Sequence, residues 1–189
     1  MLYLASQSPR RRELLDRLGV QFDIIDVDVP EVRAADESAI EYVGRVAREK
    51  AATGLLTLSG IAGAVVLGAD TEVVLDGTVF GKPANAEQAR EMLRRLSGRT
   101  HEVLSAVWCL SAGREEHAFS ITQVEFARLD PGQIAAYVAC GEWQGKAGAY
   151  AIQGRAEAFV VRLAGSYSGV MGLPLHETMT LLQRFDIHA

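Results

Sequence analysis

The sequence predicts an α/β fold, and three observations carry that prediction. Val65-Val66-Leu67-Gly68-Ala69 is a continuous apolar run, which suits a strand buried on both faces of a sheet. Segments with apolar residues at helical spacing, such as Ile40, Val43, Ala47 and Ala51, alternate along the chain with segments of strand character. Asp76-Gly77, set between Val73-Val74-Leu75 and Thr78-Val79-Phe80, supplies the two-residue turn of a hairpin. With 189 residues and 49% hydrophobic content the chain can bury a full core, so residues 1–189 are expected to form one domain, with room for two lobes.

Taken in order, Leu2 to Ala5 reads as a short buried strand. Ser6-Gln7-Ser8-Pro9 then opens a helix with Leu14, Leu15 and Leu18 on its apolar face; Ser8 suits the N-cap and Pro9 the first helical position. Phe22 to Val27 is a second strand, leading into the polar loop Asp28-Val29-Pro30-Glu31. Ser38 and Glu41 have the spacing of a capping box for the next helix, on whose apolar face Lys50 falls. Such a lysine either snorkels out from under its neighbours or meets an anion in a pocket. The apolar run that follows is expected to end at Asp70, and its hairpin to return Lys82 to the level of that carboxylate. Asn85 and Gln88 resemble an N-cap and its partner for a helix with Ala89, Met92, Leu93 and Leu96 on one face.

Thr100 to Leu110 and Phe119 to Leu129 are expected to pair as antiparallel strands. The change of phase from Phe119 and Ile121 to Val124 and Phe126 predicts a bulge near Thr122-Gln123. His101 and His117 have no partner at metal-ligand spacing and read as surface or strand-end residues. Asp130-Pro131-Gly132-Gln133 starts another helix, and Trp143 to Gly154 is rich in glycine and aromatics. That stretch either lets backbone approach a ligand closely or turns a sheet corner. Ala158 to Leu163 is a strand, Gly165 to Gly172 a glycine-rich turn, and Leu175 to Phe185 a last helix with Leu175, Met179 and Leu182 on one side.

Composition narrows the function. Nineteen basic and 24 acidic residues give a net charge of −5, which argues against a general nucleic-acid coat. Cys109 and Cys140 lack a metal-binding or redox motif and read as free thiols in a reducing cytoplasm. Met1 to Ala5 is too short for a secretory signal, and no apolar run approaches the ~20 residues of a membrane span. A cytoplasmic protein without a membrane or nucleic-acid partner is expected.

Two features point to phosphate chemistry. Arg10, Arg11 and Arg12 crowd the positive end of a helix, where each cation is disfavoured by ~0.3–1 kcal/mol unless something anionic offsets it. Helix-start amides, the serine hydroxyls and the guanidinium forks together make a phosphate cradle, although surface acids nearby would also serve. Asp70 at the end of a buried strand is costly to desolvate unless a metal, a cation or water meets it, while many strand ends simply carry a solvated Asp. P-loop, dinucleotide-binding, zincin and G-x-S-x-G patterns are absent, Gly165-Ser166-Tyr167-Ser168-Gly169 being only a near miss to the last. An anion site with lysines, and carboxylates able to hold a divalent metal, fits hydrolysis of a phosphate ester or anhydride.

Six segments carry a resemblance: Ser6-Gln7-Ser8-Pro9-Arg10-Arg11, Ala47-Arg48-Glu49-Lys50-Ala51, Gly68-Ala69-Asp70-Thr71, Gly81-Lys82-Pro83, Ser97-Gly98-Arg99-Thr100-His101 and Gly172-Leu173-Pro174-Leu175. They resemble, in order and over essentially the whole chain, the motifs of the Maf family of nucleoside triphosphate pyrophosphatases. The resemblance implies a mixed twisted sheet flanked by helices, two lobes around a nucleotide cleft, and similarity to inosine triphosphate pyrophosphatases. It also implies a cytoplasmic homodimer linked to arrest of cell division. Ala147 to Gly154 resembles the branch acting on dTTP and UTP, and Arg12, Thr71 and Gln153 match the positions associated with that choice. Glu72 stands where an apolar residue is common, and Ser168-Gly169-Val170 replaces the commoner serine-asparagine-valine.

The expected reaction is hydrolysis of a nucleoside triphosphate, dTTP or UTP foremost, to the monophosphate and pyrophosphate. The resemblance assigns Asp70 as proton acceptor for the attacking water. Glu31 is a candidate second carboxylate on a divalent metal, Mg²⁺ or Mn²⁺, beside Asp70. Ser8, Arg11, Lys50 and Lys82 are expected to hold phosphate oxygens, with Lys82 also offsetting charge on the leaving group. A nucleotide-binding regulator of septum formation without turnover is the alternative.

Overall fold

The computed structural model describes residues 1–188; Ala189, the last residue of the expected domain, lies outside them. In chain order the elements are β1 (Leu2–Ala5), α1 (Pro9–Asp16), β2 (Phe22–Ile25), α2 (Ala39–Thr57), β3 (Val65–Leu75), β4 (Thr78–Phe80), α3 (Ala86–Leu96), β5 (Thr100–Ser111), β6 (Arg114–Phe126), α4 (Pro131–Cys140), β7 (Val160–Ala164), α5 (Tyr167–Met171) and α6 (Leu175–Arg184). The strands form one mixed sheet in the order β2-β1-β3-β5-β6-β7, with β4 also paired to β3. β1 runs parallel to β2 and β3, and every other pairing is antiparallel.

Local chemistry starts three helices and turns one hairpin where the sequence placed them. Ser38 and Glu41 close a capping box on α2, and Asp130 and Gln133 do the same on α4, each satisfying amides that a helix start leaves free. Asn85 caps α3 by accepting from the Gln88 amide. Asp76 and Gly77 both take positive φ, 51° and 74°, which suits the tight hairpin between β3 and β4.

Three expectations are corrected. β3 does not end at Asp70 but continues to Leu75, because its far edge stays paired with β5 from Val65 to Val74. No bulge interrupts β5 and β6, whose register is unbroken from Thr100↔Glu125 to Ser111↔Arg114. The phase change arises because Ser120 and Thr122 occupy buried positions while Phe119 and Ile121 point outward; Thr122 Oγ1 accepts from the Ser166 amide. In α6 the buried residues are Thr178, Leu181 and Leu182, and Met179 is exposed.

His101 is likewise no surface residue. It is 2% exposed, with Phe126 and Tyr150 edge-on to its ring and Nε2 2.8 Å from the Tyr150 hydroxyl. Burial lowers its pKa from 6.5 to about 4, so the fold holds it neutral. The unfolded chain therefore takes up a proton before the folded one as pH falls. The stability contributed is present above the unfolded value of 6.5 and is lost as pH falls through about 4. The loss should amount to roughly 3 kcal/mol. Urea denaturation at pH 7 and pH 4.5 should show this fall in the wild type and a clearly smaller one in His101→Gln; equal falls in both would remove His101 from the acid response.

Candidate active site

β1 pairs with β3 only as far as Gly68, and β4 takes up the same edge only at Val73. Residues 69–72 therefore have a strand neighbour on the β5 side alone. A cleft of about 570 Å³ opens at this break in the sheet. Side chains alternate across a strand, so Asp70 and Glu72 face the layer of α2 while Thr71 and Val73 face the opposite layer, and all four line the cleft. The break thus joins a charged side to a largely apolar one.

On the charged side, α2 lies close against β3 because residue 68 has no side chain. A Cβ there would run into the Ala47 carbonyl oxygen and sit 2.6 Å from the Ala51 amide nitrogen. The close approach sets Lys50 directly over the strand, with Nζ 2.8 Å from Asp70 Oδ1 and 2.6 Å from Glu31 Oε1. Lys50 and Asp70 are 8% and 5% exposed, a depth at which a charge persists only when paired. Lys50 therefore does not snorkel; its ammonium is buried between two carboxylates.

Lys82 does not meet Asp70, as the hairpin geometry had suggested. It donates to the other oxygen of Glu31. Glu31 consequently bridges two ammonium groups. Against the upward push of burial, hydrogen bonds from Lys50 and Lys82 hold its carboxyl down to about 2. Glu31, the expected second metal-side carboxylate, is here paired through both oxygens with lysines. Asp70 keeps Oδ2 without a hydrogen-bond partner, with Arg11 Nη2 3.9 Å from Oδ1. Glu72, 7% exposed, likewise leaves Oε2 unpartnered, and burial, with the charge of Asp70 second, pushes its carboxyl up to about 8.

The start of α1 forms the next wall. Ser8 has N-cap dihedrals but its side chain makes no capping bond, so the hydroxyl is not spent on the helix. Arg10 and Arg11 donate from Nε to the carbonyls of Met171 and Gly172, at 3.2 and 2.8 Å. Those carbonyls at the end of α5 are what offsets two cations at a helix start. Ser8, Arg10 and Arg11 line the cleft, whereas Arg12 is exposed and does not. One residue of helix turns a side chain by about 100°, which takes Arg12 to the outer face.

The apolar side is built from Val73, Val103, Tyr150 and Ile152. Gly148, at φ +68°, lies where a Cβ would come within 2.8 Å of Val73, so the glycine-rich stretch packs its backbone on β3 and walls the cleft. Thr71 is tied by its hydroxyl, 2.8 Å from Ser105 Oγ, and Ser105 donates to the Gly169 carbonyl. Gln153 is exposed at the rim; Lys146 also lines the cleft, and burial, then Arg10, lower its pKa. Sequence reasoning placed Arg10 in the phosphate cradle without giving it a role, and missed Glu72 and Lys146 as cleft residues. The same-face spacing of Glu72 with Asp70, and the place of Lys146 in a stretch already singled out, were the available signals.

The family model described as Maf-like protein matches residues 1–185. The chain belongs to the Maf family. This Maf chain is 60% identical over 190 residues to a protein of Xanthomonas oryzae pv. oryzae named dTTP/UTP pyrophosphatase, with 100% of each chain covered. It is 57% identical over 187 residues to a protein of Xylella fastidiosa named nucleoside triphosphate pyrophosphatase, covering 98% of this chain and 99% of that one. Among solved structures it is similar to the Staphylococcus aureus Ham1 protein, at 13% identity and a TM-score of 0.43 over 67% of this chain and 71% of that one, a likeness too slight to carry an argument. No helix among the described residues is long and apolar enough to cross a membrane. In the Maf chain, Ser6 to Arg11, Lys50, Asp70, Thr71, Lys82 and Gly172 converge on the cleft, whereas His101 lies beneath it in the core.

Gly68 is the position on which the charged side rests. Gly68→Ala should force α2 away from β3 and cost ~1–3 kcal/mol, as overpacking does. It should also separate Lys50 from Asp70. Denaturant unfolding checks the first effect, and a loss smaller than ~0.5 kcal/mol would mean that α2 can yield without cost.

Proposed function

We propose that this chain hydrolyses nucleoside triphosphates, dTTP and UTP foremost, to the monophosphate and pyrophosphate. The observation that carries the reading is the buried Asp70 with one oxygen held by Lys50 and the other unpartnered, facing a cleft lined by Arg11, Lys82 and Ser8. The dTTP/UTP pyrophosphatase named above, matched end to end, supports the same substrate class.

Water attacks the α-phosphorus in line. Its oxygen forms the new bond to phosphorus, the bridging oxygen between the α- and β-phosphorus leaves with pyrophosphate, and Asp70 Oδ2 accepts the proton. Lys50 on Oδ1 fixes the carboxylate and leaves Oδ2 unpartnered. Lys82 and Arg11, with Ser8, donate to phosphate oxygens and offset charge on the leaving group. Glu31 holds the two lysines in place. Among the described residues no group of three or more His, Cys, Asp or Glu is placed to hold a metal. The unpartnered oxygen of Asp70 nevertheless fits a divalent cation, Mg²⁺ or Mn²⁺, held jointly with triphosphate oxygens and supplying charge neutralisation and a more acidic water.

The base lies on the apolar side, where Gln153 at the rim donates to a carbonyl oxygen of uracil or thymine and accepts from the ring N3–H. Thr71, fixed by Ser105, shapes the wall, and Arg10 in place of the outward Arg12 supplies the cation on that side. The reading includes the cytoplasmic homodimer and the link to cell-division arrest that the resemblance implies.

Pyrophosphate release from dTTP with Mg²⁺ or Mn²⁺ tests turnover directly; a nucleotide-binding regulator would bind and release nothing. Asp70→Asn should retain nucleotide binding and lower turnover by ~10²–10⁴. Activity within a few-fold of wild type would give the proton to another group. A substrate panel tests the base assignment. UTP and dTTP should be hydrolysed at similar rates, with CTP and 7-methyl-GTP poorer by roughly tenfold to a hundredfold, and Gln153→Ala should narrow the gap. If CTP or 7-methyl-GTP leads in the wild type, the pyrimidine assignment is wrong.

A further inference from the structure

Glu72 is a buried carboxylate that the reaction as described does not use. It is 7% exposed, lines the cleft, and presents Oε2 with no partner. The cations that reach this wall are committed elsewhere: Lys50 to Asp70 and Glu31, Lys82 to Glu31, and Arg11 to Asp70. A carboxylate so deep and so unpaired is unfavourable unless it is neutralised. It stands two positions from Asp70 on one face of β3, and Asp70 Oδ2 is unpartnered as well. Two buried carboxylates that line one cleft thus each keep an unsatisfied oxygen, and a single divalent cation would answer both.

We propose that Glu72 is a second protein ligand of the divalent cation, beside Asp70, with triphosphate and water oxygens completing its shell. The inference rests on the nucleotide-pyrophosphatase reading for the identity of the triphosphate. All the ligands are oxygen, the set that suits Mg²⁺ or Mn²⁺, and one or two carboxylates with substrate phosphates is how Mg²⁺ is usually held. A carboxylate from Glu72 on the cation leaves Glu31 with its lysines.

The test is Mn²⁺ binding to the full chain, followed by the electron paramagnetic resonance signal of free Mn²⁺, with and without a dTTP analogue that cannot be cleaved between the α- and β-phosphorus. Glu72→Gln should weaken Mn²⁺ binding by about tenfold or more, since losing even an outer-shell partner commonly costs 10–100-fold. Glutamine also imitates a protonated glutamate, so if Glu72 serves only as a neutral hydrogen-bond donor, Mn²⁺ affinity will stay within threefold of wild type and the proposal falls. Thermal melting guards against misfolding. Mn²⁺ should raise the Tm of the wild type and not that of Glu72→Gln, while Glu72→Asp, which keeps a carboxylate, should recover part of the shift. Wild-type protein that binds Mn²⁺ through Glu72 yet releases no pyrophosphate from dTTP would overturn the enzymatic reading and leave the metal site standing.

Discussion

The buried pair of Lys50 and Asp70 is the interaction on which the site depends. Two charges at 8% and 5% exposure are tolerable only in contact, and contact requires a helix backbone to lie almost on a strand. Gly68 permits that approach, and the capping box at Ser38 starts α2 where its later turns reach the strand. From Lys50 the ion pairs pass to Glu31 and on to Lys82, so a loop and a hairpin separate in sequence are held to the same wall. Breaking the pair by removing one partner would leave the other charge buried and alone, which costs far more than the pair contributes.

The gap along one edge of β3 gives that pair its chemical setting. A continuous strand ladder would seal Asp70 between sheet neighbours. Here β1 stops at Ala5 and β4 begins pairing only at Val73, so the polar and apolar faces of the sheet communicate through one opening. A triphosphate and a base need opposite surroundings, cations and hydrogen-bond donors for one and flat apolar area for the other. Parity along the strand provides both, with Asp70 and Glu72 on one face and Thr71 and Val73 on the other.

The arginines at the start of α1 show how the site offsets its own electrostatic cost. Cations at the positive end of a helix are unfavourable. Carbonyls at the end of α5 accept from Arg10 and Arg11 and hold both side chains in the cleft wall before any anion arrives. Part of the ordering entropy is thereby met in folding rather than in binding.

Much of this was legible in the residues alone. Capping boxes, the Asp-Gly hairpin, the apolar run and the helical face bearing Lys50 depend on neighbours within a few positions, and local chemistry decides them. Family motifs named the cleft residues Ser8, Arg11, Lys50, Asp70 and Lys82, all of which the fold brings together. What only the tertiary structure decided is who pairs with whom. Lys82 takes Glu31 and not Asp70, His101 is sealed against Tyr150, and Glu72 is left without a cation. Those outcomes depend on distances between elements far apart in the chain, set by the close packing of α2 over Gly68 and by where two strands leave an edge free, and no spacing within a single segment encodes them.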